Sequence, residues 1–305
     1  MNQYKEHKYT PPGVSADEEE ALTKEIYASL QEVVDEQKSY ASKEADDYDD
    51  TWSNYSNIET FIKFLGQTSY YLGLQKNLCK IVSIIKPTSI LEFGFGTGHT
   101  AVRIADENPN STVEALDLRE KMVVIAQGLA SKMDVSNVCF SQGDMLKRVK
   151  SSLARYDFIY LLYNFHHIPD KGNDLNELKT EFLRDCHYHM KTGAYLCIAE
   201  LFIPSLGDKV QISRLFDNRV KEGHQSTFWS SLNSLDDEDV NYAKECAYFS
   251  ERKERDVGIK VSNRQHEYLV TKHWLKTQLE RLGFYTVLDE DVNVVGDAIM
   301  LFKKI

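Results

Sequence analysis

Ile90-Leu91-Glu92-Phe93-Gly94-Phe95-Gly96-Thr97-Gly98 decides how this chain reads. Residues 90–93 form a short apolar run around one acid, as a buried strand does. Glycines then recur at every second position, and residues 100–108 read as a helix. Glycine lets a backbone turn sharply and come close to a ligand, and a helix N-terminus offers unpaired N–H groups. A dinucleotide-binding turn requires Gly-x-Gly-x-x-Gly. Here Gly98 comes one residue early and His99 stands at the third glycine position, which counts against NAD or FAD.

Outward from this turn, strands alternate with helices. Residues 89–93, 113–117, 138–142, 158–163 and 194–202 read as strands, and 100–108, 122–132 and 175–190 as helices. Such βαβ alternation implies a parallel sheet covered by helices on both faces. A last helix over 272–282 ends at Gly283, a C-cap glycine, and strands over 285–289 and 298–303 follow. On the amino side, Ser15 and Glu18 have capping-box spacing, with Asp17, Glu18 and Glu19 in a first turn that favours acids. Leu22, Ile26, Leu30 and Val33/Val34 recur at helical spacing over 15–36, and two further helical stretches cover 58–71 and 74–85.

A length of 305 residues and a hydrophobic content of 42% suit a soluble chain with a sizeable core. The formal net charge is −11, and residues 1–60 account for −10 of it. This balance argues against general affinity for nucleic-acid phosphates. No apolar run reaches the roughly 18 to 20 residues that span a bilayer, and MNQYKEHKYTPPG has no apolar core of the kind a secretory signal carries. Five scattered cysteines without a CxxC pair suggest neither a zinc site nor a disulfide framework. A cytoplasmic chain with no bound metal is the expectation.

The acid Glu92 followed by Gly94, Gly96 and Gly98 resembles the first motif of class I S-adenosylmethionine-dependent methyltransferases. The resemblance continues over residues 75–205 and 270–305. It implies a Rossmann-like, doubly wound seven-stranded α/β sheet whose final strand is antiparallel, with an N-terminal helical lid and an inserted helical cap. It also implies binding roles. Asp117, 19 residues after Gly98, matches the acid that accepts both ribose hydroxyls. Leu118 and Met122 match the stretch beside the adenine, although Met122 also suits a core position. Asp144 matches the acceptor for the adenine amino group, with the Met145 amide on the ring. Residues 157–170, Asp-Phe-Ile-Tyr-Leu-Leu-Tyr-Asn-Phe-His-His-Ile-Pro-Asp, resemble the fourth-strand motif of small-molecule members. That places Tyr163 near the methionine end, or in the core. Tyr48, in the acidic segment 44–50, matches the aromatic that an N-terminal lid lays over the cofactor.

Methyl transfer is an in-line displacement that needs positioning, plus a base where the nucleophile is protonated. His166 and His167 follow the fourth strand and are candidates for that base, with loop packing as the bland alternative. His224 in the cap and Glu267 before the last helix are further candidates, as is solvated surface for both. The expected organisation is a lid over 1–72, a cofactor core over 73–205, a cap over 206–268, and a closing helix and strand pair over 269–305. The expected reaction methylates O, N or C of a small molecule in specialised metabolism, yielding S-adenosylhomocysteine, with a homodimer left open and no nucleic-acid or membrane partner. A base-methylating enzyme would show Asn/Asp-Pro-Pro-aromatic where this chain has Tyr163-Asn-Phe-His. A protein methyltransferase, or a protein that binds the cofactor for another reaction, are the rival readings.

Overall fold

The computed structural model describes residues 16–40, 55, 58, 59, 62, 69–147, 155–168, 176–203, 269–292 and 296–305. In chain order the elements are α1 (Ala16–Tyr40), α2 (Ser69–Ile85), β1 (Ser89–Phe93), α3 (His99–Glu107), β2 (Thr112–Asp117), α4 (Glu120–Lys132) and β3 (Val138–Gln142). Then come β4 (Tyr156–Leu162), a 3-10 turn (Phe165–His167), α5 (Glu177–His189), β5 (Met190–Leu201), α6 (Lys272–Arg281), β6 (Phe284–Asp291) and β7 (Asp297–Lys304).

The strands form one seven-stranded sheet in the order β3-β2-β1-β4-β5-β7-β6. Strands β1 to β5 run parallel, while β7 inserts antiparallel between β5 and β6. This is the expected α/β architecture. Strand order reverses between β1 and β4, and a crevice opens beyond their carboxyl ends at such a switch point.

Side-chain alternation along each strand divides the core in two. Ile90, Val113, Ala115, Phe158, Tyr160 and Ile299 face the layer formed by α1 to α4. Leu91, Phe93, Ile159, Leu161, Ile198 and Met300 face the layer of α5 and α6. Helix α1 is part of the first layer: Ile26, Leu30, Val33 and Val34 are buried with the residues of α3 and α4. Most of its acids lie on the solvent side, but Glu19 is buried and faces the Arg103 guanidinium at 3.5 Å and the Lys76 ammonium at 3.7 Å.

Two sequence expectations shift. The gap expected at residues 72–73 is absent, because α2 begins at Ser69 and runs through Gly73. A Cβ at Gly73 would lie 2.8 Å from Val292 Cγ1, so the glycine serves the close approach of the β6–β7 connection rather than a helix break. The strand expected over 158–163 ends at Leu162, because Tyr163 turns into the left-handed region with φ 52°. Gly283 has φ 87° and closes α6, as expected. Among the described residues no helix is long and apolar enough to cross a membrane.

Leu30 lies wholly inside the first layer. Leu30→Ala should cost about 2–5 kcal/mol of stability in urea unfolding. A loss below about 1 kcal/mol would mean that α1 is not part of the cooperative core.

Candidate functional site

The turn from β1 to α3 is built on three left-handed glycines, with φ 69° at Gly94, 55° at Gly96 and 75° at Gly98. They do different jobs. A Cβ at Gly98 would come within 2.4 Å of the Ala126 Cβ, so that glycine lets α3 pack on α4. A Cβ at Gly96 would meet nothing within 4 Å among the described residues. The Gly96 backbone therefore faces open space at the head of the crevice.

Hydrogen bonds tie this turn to its neighbours. Gly94 N–H donates to the Leu116 carbonyl at 2.7 Å, and Gly96 N–H donates to Asp117 Oδ2 at 2.9 Å. Asp117 Oδ1 accepts from Arg119 N–H at 3.0 Å, and the Asp117 carbonyl accepts from Gly143 N–H at 2.8 Å. An ionised carboxylate has about four lone-pair sites, so each Asp117 oxygen keeps acceptor capacity. Burial nonetheless raises its pKa above the ordinary value, against the pull of these N–H donors.

The remaining cofactor candidates around this rim fall in different settings. Leu118 is 62% exposed, an apolar side chain that no core residue covers. Met122 is 1% exposed and sits inside the first apolar cluster, so here it is a core residue. Asp144 follows β3, and its Oδ1 accepts from Leu146 N–H at 2.9 Å, at the start of the helical residues 145–147. The Met145 side chain packs against the second cluster.

Glu92 lies beneath the turn, fully buried on the α1 to α4 side. Its Oε2 accepts from the Tyr160 hydroxyl at 2.8 Å. Burial pushes its pKa up to about 8, helped by the nearby Asp117 charge, although the Tyr160 bond works in the other direction.

Across the switch point lies the β4 loop. Asn164 Nδ2 donates to the Gly94 carbonyl, and to the Leu162 carbonyl at 2.7 Å. Tyr163 donates its hydroxyl to Asp297 Oδ1 at 2.6 Å and stacks on Tyr71, with ring centroids 5.8 Å apart. Glu200, buried near the end of β5, gathers the following turn. Its Oε2 accepts from Phe165 N–H at 3.1 Å and His166 N–H at 3.3 Å, and lies 2.9 Å from His166 Nδ1. Its Oε1 accepts from Leu201 N–H at 2.8 Å. The His166 side chain is 14% exposed. His167 is more exposed, with its ring centroid 4.1 Å from that of His166.

The structure thus gathers Glu92, Gly94, Gly96, Gly98, Asp117, Leu118, Asp144, Tyr163, His166 and His167 along the carboxyl edge of the parallel strands. Tyr48, His224 and Glu267, with the cap over 206–268, lie outside the described residues. Sequence reasoning weighed Glu200, with Asp170, only as an acid of a metal-dependent site and set it aside on spacing; its contact with His166 was not foreseen. It noted His99 only as an absent glycine, and nothing marked Asp297 or Tyr71. Among the described residues no group of three His, Cys, Asp or Glu side chains could hold a metal.

Residues 90–192 match a family model described as a methyltransferase domain. A stretch of 92 residues is 33% identical to the release factor glutamine methyltransferase of Coxiella burnetii (strain RSA 493 / Nine Mile phase I), covering 30% of this chain. The match spans about a third (32%) of that curated relative's length. Among solved structures, the fold is similar to an O-methyltransferase family protein from Burkholderia thailandensis, with TM-score 0.52 and 12% identity over 93% of this chain and 70% of that one. It is also similar to magnesium protoporphyrin IX methyltransferase from Synechocystis PCC 6803, solved with bound S-adenosylhomocysteine. There the TM-score is 0.50, with 12% identity over 92% of this chain and 94% of that one.

Glu92 makes stability depend on pH. Its folded pKa lies above its ordinary value of 4.5, so the folded chain holds a proton that the unfolded chain releases. Its contribution is fullest below that ordinary value and declines as pH rises through the folded one. Glu92→Gln can still accept from Tyr160 but cannot ionise. Its melting temperature relative to the parent should rise between about pH 5 and about pH 9. A constant difference across that range would show that Glu92 does not titrate there.

Proposed function

We propose that this chain, whose residues 90–192 match a methyltransferase-domain model, transfers a methyl group from S-adenosylmethionine to O, N or C of a small-molecule acceptor in specialised metabolism. One observation carries the acceptor side of this reading. A histidine held by a buried carboxylate stands across the switch point from an open glycine turn.

S-adenosylmethionine suits the residues present. It presents ribose hydroxyls, a purine and a cationic sulfonium. Asp117 has acceptor capacity for the hydroxyls, Leu118 offers an uncovered apolar side chain for the purine, and Asp144 stands after β3 for the amino group. The bare Gly96 backbone leaves room for the methionine end. When bound, the cofactor supplies a methyl group on a good leaving group, sulfur.

The chain's own part is then binding, orientation and proton handling. A carboxylate oxygen only accepts, so the Glu200 contact places a proton on His166 Nδ1 and the lone pair of the neutral ring on Nε2. That nitrogen takes the proton an oxygen or nitrogen acceptor loses as its bond to carbon forms. Glu200 holds the ring in place and stabilises the imidazolium. Its three backbone donors fix the carboxylate itself, because Phe165, His166 and Leu201 N–H converge on it. His167 is the runner-up base, being more exposed on the same turn.

Three measurements test this. Calorimetry on the parent protein should show binding of S-adenosylmethionine and S-adenosylhomocysteine, and absence of both would sink the reading. In a screen of metabolite extracts with methyl-labelled cofactor, label should pass to a small molecule rather than to protein. With an acceptor in hand, His166→Ala and Glu200→Gln should each lower kcat by about 100-fold or more while leaving S-adenosylhomocysteine affinity within about threefold. Unchanged turnover in both would remove His166 from the chemistry.

A further inference from the structure

His99 occupies the position where a dinucleotide-binding turn would place its last glycine, at the first residue of α3. The side chain turns inward rather than toward solvent and is buried. Each ring nitrogen meets a hydroxyl: Nδ1 lies 2.8 Å from Thr97 Oγ1, and Nε2 lies 3.0 Å from the Tyr71 hydroxyl. A hydroxyl can donate or accept, so a neutral imidazole is satisfied in either tautomer. Burial and the Arg103 charge push the pKa down to about 4, which keeps the ring neutral at ordinary pH.

The two partners of His99 lead in different directions, one within the glycine turn and the other, through a stacked ring, to the β4 loop. Thr97 sits inside the glycine turn, between Gly96 and Gly98. Tyr71, on α2, lies with its ring nearly parallel to that of Tyr163, at an interplanar angle of 15°. Tyr163 begins the β4 loop in a left-handed conformation, which costs a non-glycine residue energy and must be held by its surroundings. Its hydroxyl is anchored on Asp297 of β7. The next residue, Asn164, returns to the glycine turn through the Gly94 carbonyl. The contacts close a circuit: Thr97, His99, Tyr71, Tyr163, Asn164, Gly94.

We propose that His99 is a positioning residue that locks the glycine turn to the β4 loop through Thr97 and Tyr71, and so sets the spacing of the crevice in which the nucleoside cofactor binds. The inference rests on the cofactor reading given above. A ring that merely filled space would make the same apolar contacts without bridging two hydroxyls. The bridge makes the turn's geometry depend on a side chain whose other arm reaches Tyr71, which stacks on the first residue of the β4 loop.

The test is S-adenosylhomocysteine binding by calorimetry on the full chain, well below the melting temperature. His99→Phe keeps the ring and removes both bridges, and it should weaken binding about tenfold. Tyr71→Phe keeps the stack on Tyr163 and removes only the Nε2 bridge, and it should cost a similar factor. Because both act through one link, the double variant should bind no worse than the weaker single variant. His99→Asn can place an amide near the Nδ1 position and His99→Gln near the Nε2 position, and each should recover part of the loss. Should His99→Phe not fold, Tyr71→Phe and His99→Asn carry the same comparison. Parent-like affinity in Tyr71→Phe, with only a lower melting temperature, would overturn the proposal, as would losses that multiply in the double variant. If the parent binds no S-adenosylhomocysteine, the cofactor reading fails along with it. If the parent binds and the variants bind equally well, only the role of His99 fails.

Discussion

The hydrogen bond from Gly96 N–H to the Asp117 carboxylate is the contact on which the crevice depends. It joins a backbone donor in the left-handed turn after β1 to the last side chain of β2. Without it, the turn would present an unpaired N–H and the acid would lose one of the donors that offset its burial. The same aspartate fixes Arg119 N–H, and its carbonyl fixes Gly143 N–H, so one residue ties together the loops that follow three strands. A turn restrained in this way can leave its outer face bare, and the open space over Gly96 is the consequence.

Around this contact the structure keeps an unusual number of polar groups out of water. Glu92, His99, Glu200 and Asp297 are all buried near the carboxyl edge of the sheet. Each is matched: Glu92 by Tyr160, His99 by two hydroxyls, Glu200 by backbone donors and His166, Asp297 by Tyr163. Buried polar groups are tolerated only when partnered, and a partnered network has little freedom to rearrange. Rigidity at this edge suits a reaction whose catalysis is mainly the alignment of two reactants. Contrast the opposite edge. There Asp157, first acid of the fourth-strand motif, accepts from Thr88 and Ser89 and pairs with Lys191, far from the crevice. Its place in the motif is a clamp between β1 and β4, not a ligand contact.

Much of the fold was legible because its signals are local. A strand of alternating burial, a glycine where φ must be positive, and a C-cap glycine at 283 are each written within a few residues. The β-α alternation from residue 89 therefore reads correctly, and the positions of Asp117 and Asp144 at strand ends follow from it. Errors arose where a distant contact decides the local outcome. Residues 72–73 read as a gap between two helical stretches, yet the helix continues through Gly73, whose missing side chain leaves room for Val292. Glu19 reads as one of three acids in a helix's first turn, yet it is buried beside Arg103, far along the chain. Met122 suits a ligand or a core equally by spacing, and only its neighbours in the packed structure place it in the core.

The sequence by itself determined the class of fold, the glycine turn and the acids that close the strands, since each depends on residue type at fixed spacing. Only the tertiary structure decided which polar side chains meet. His166 and His167 are indistinguishable as neighbours in a row, until the fold brings Glu200 from another strand within 2.9 Å of His166 Nδ1. His99 is a missing glycine in the sequence and a bridge between two hydroxyls in the fold. The physical reason is the same in both cases. Hydrogen bonding is short-ranged and directional, so a partner tens of residues away becomes visible only when the chain has folded to bring it within about 3 Å.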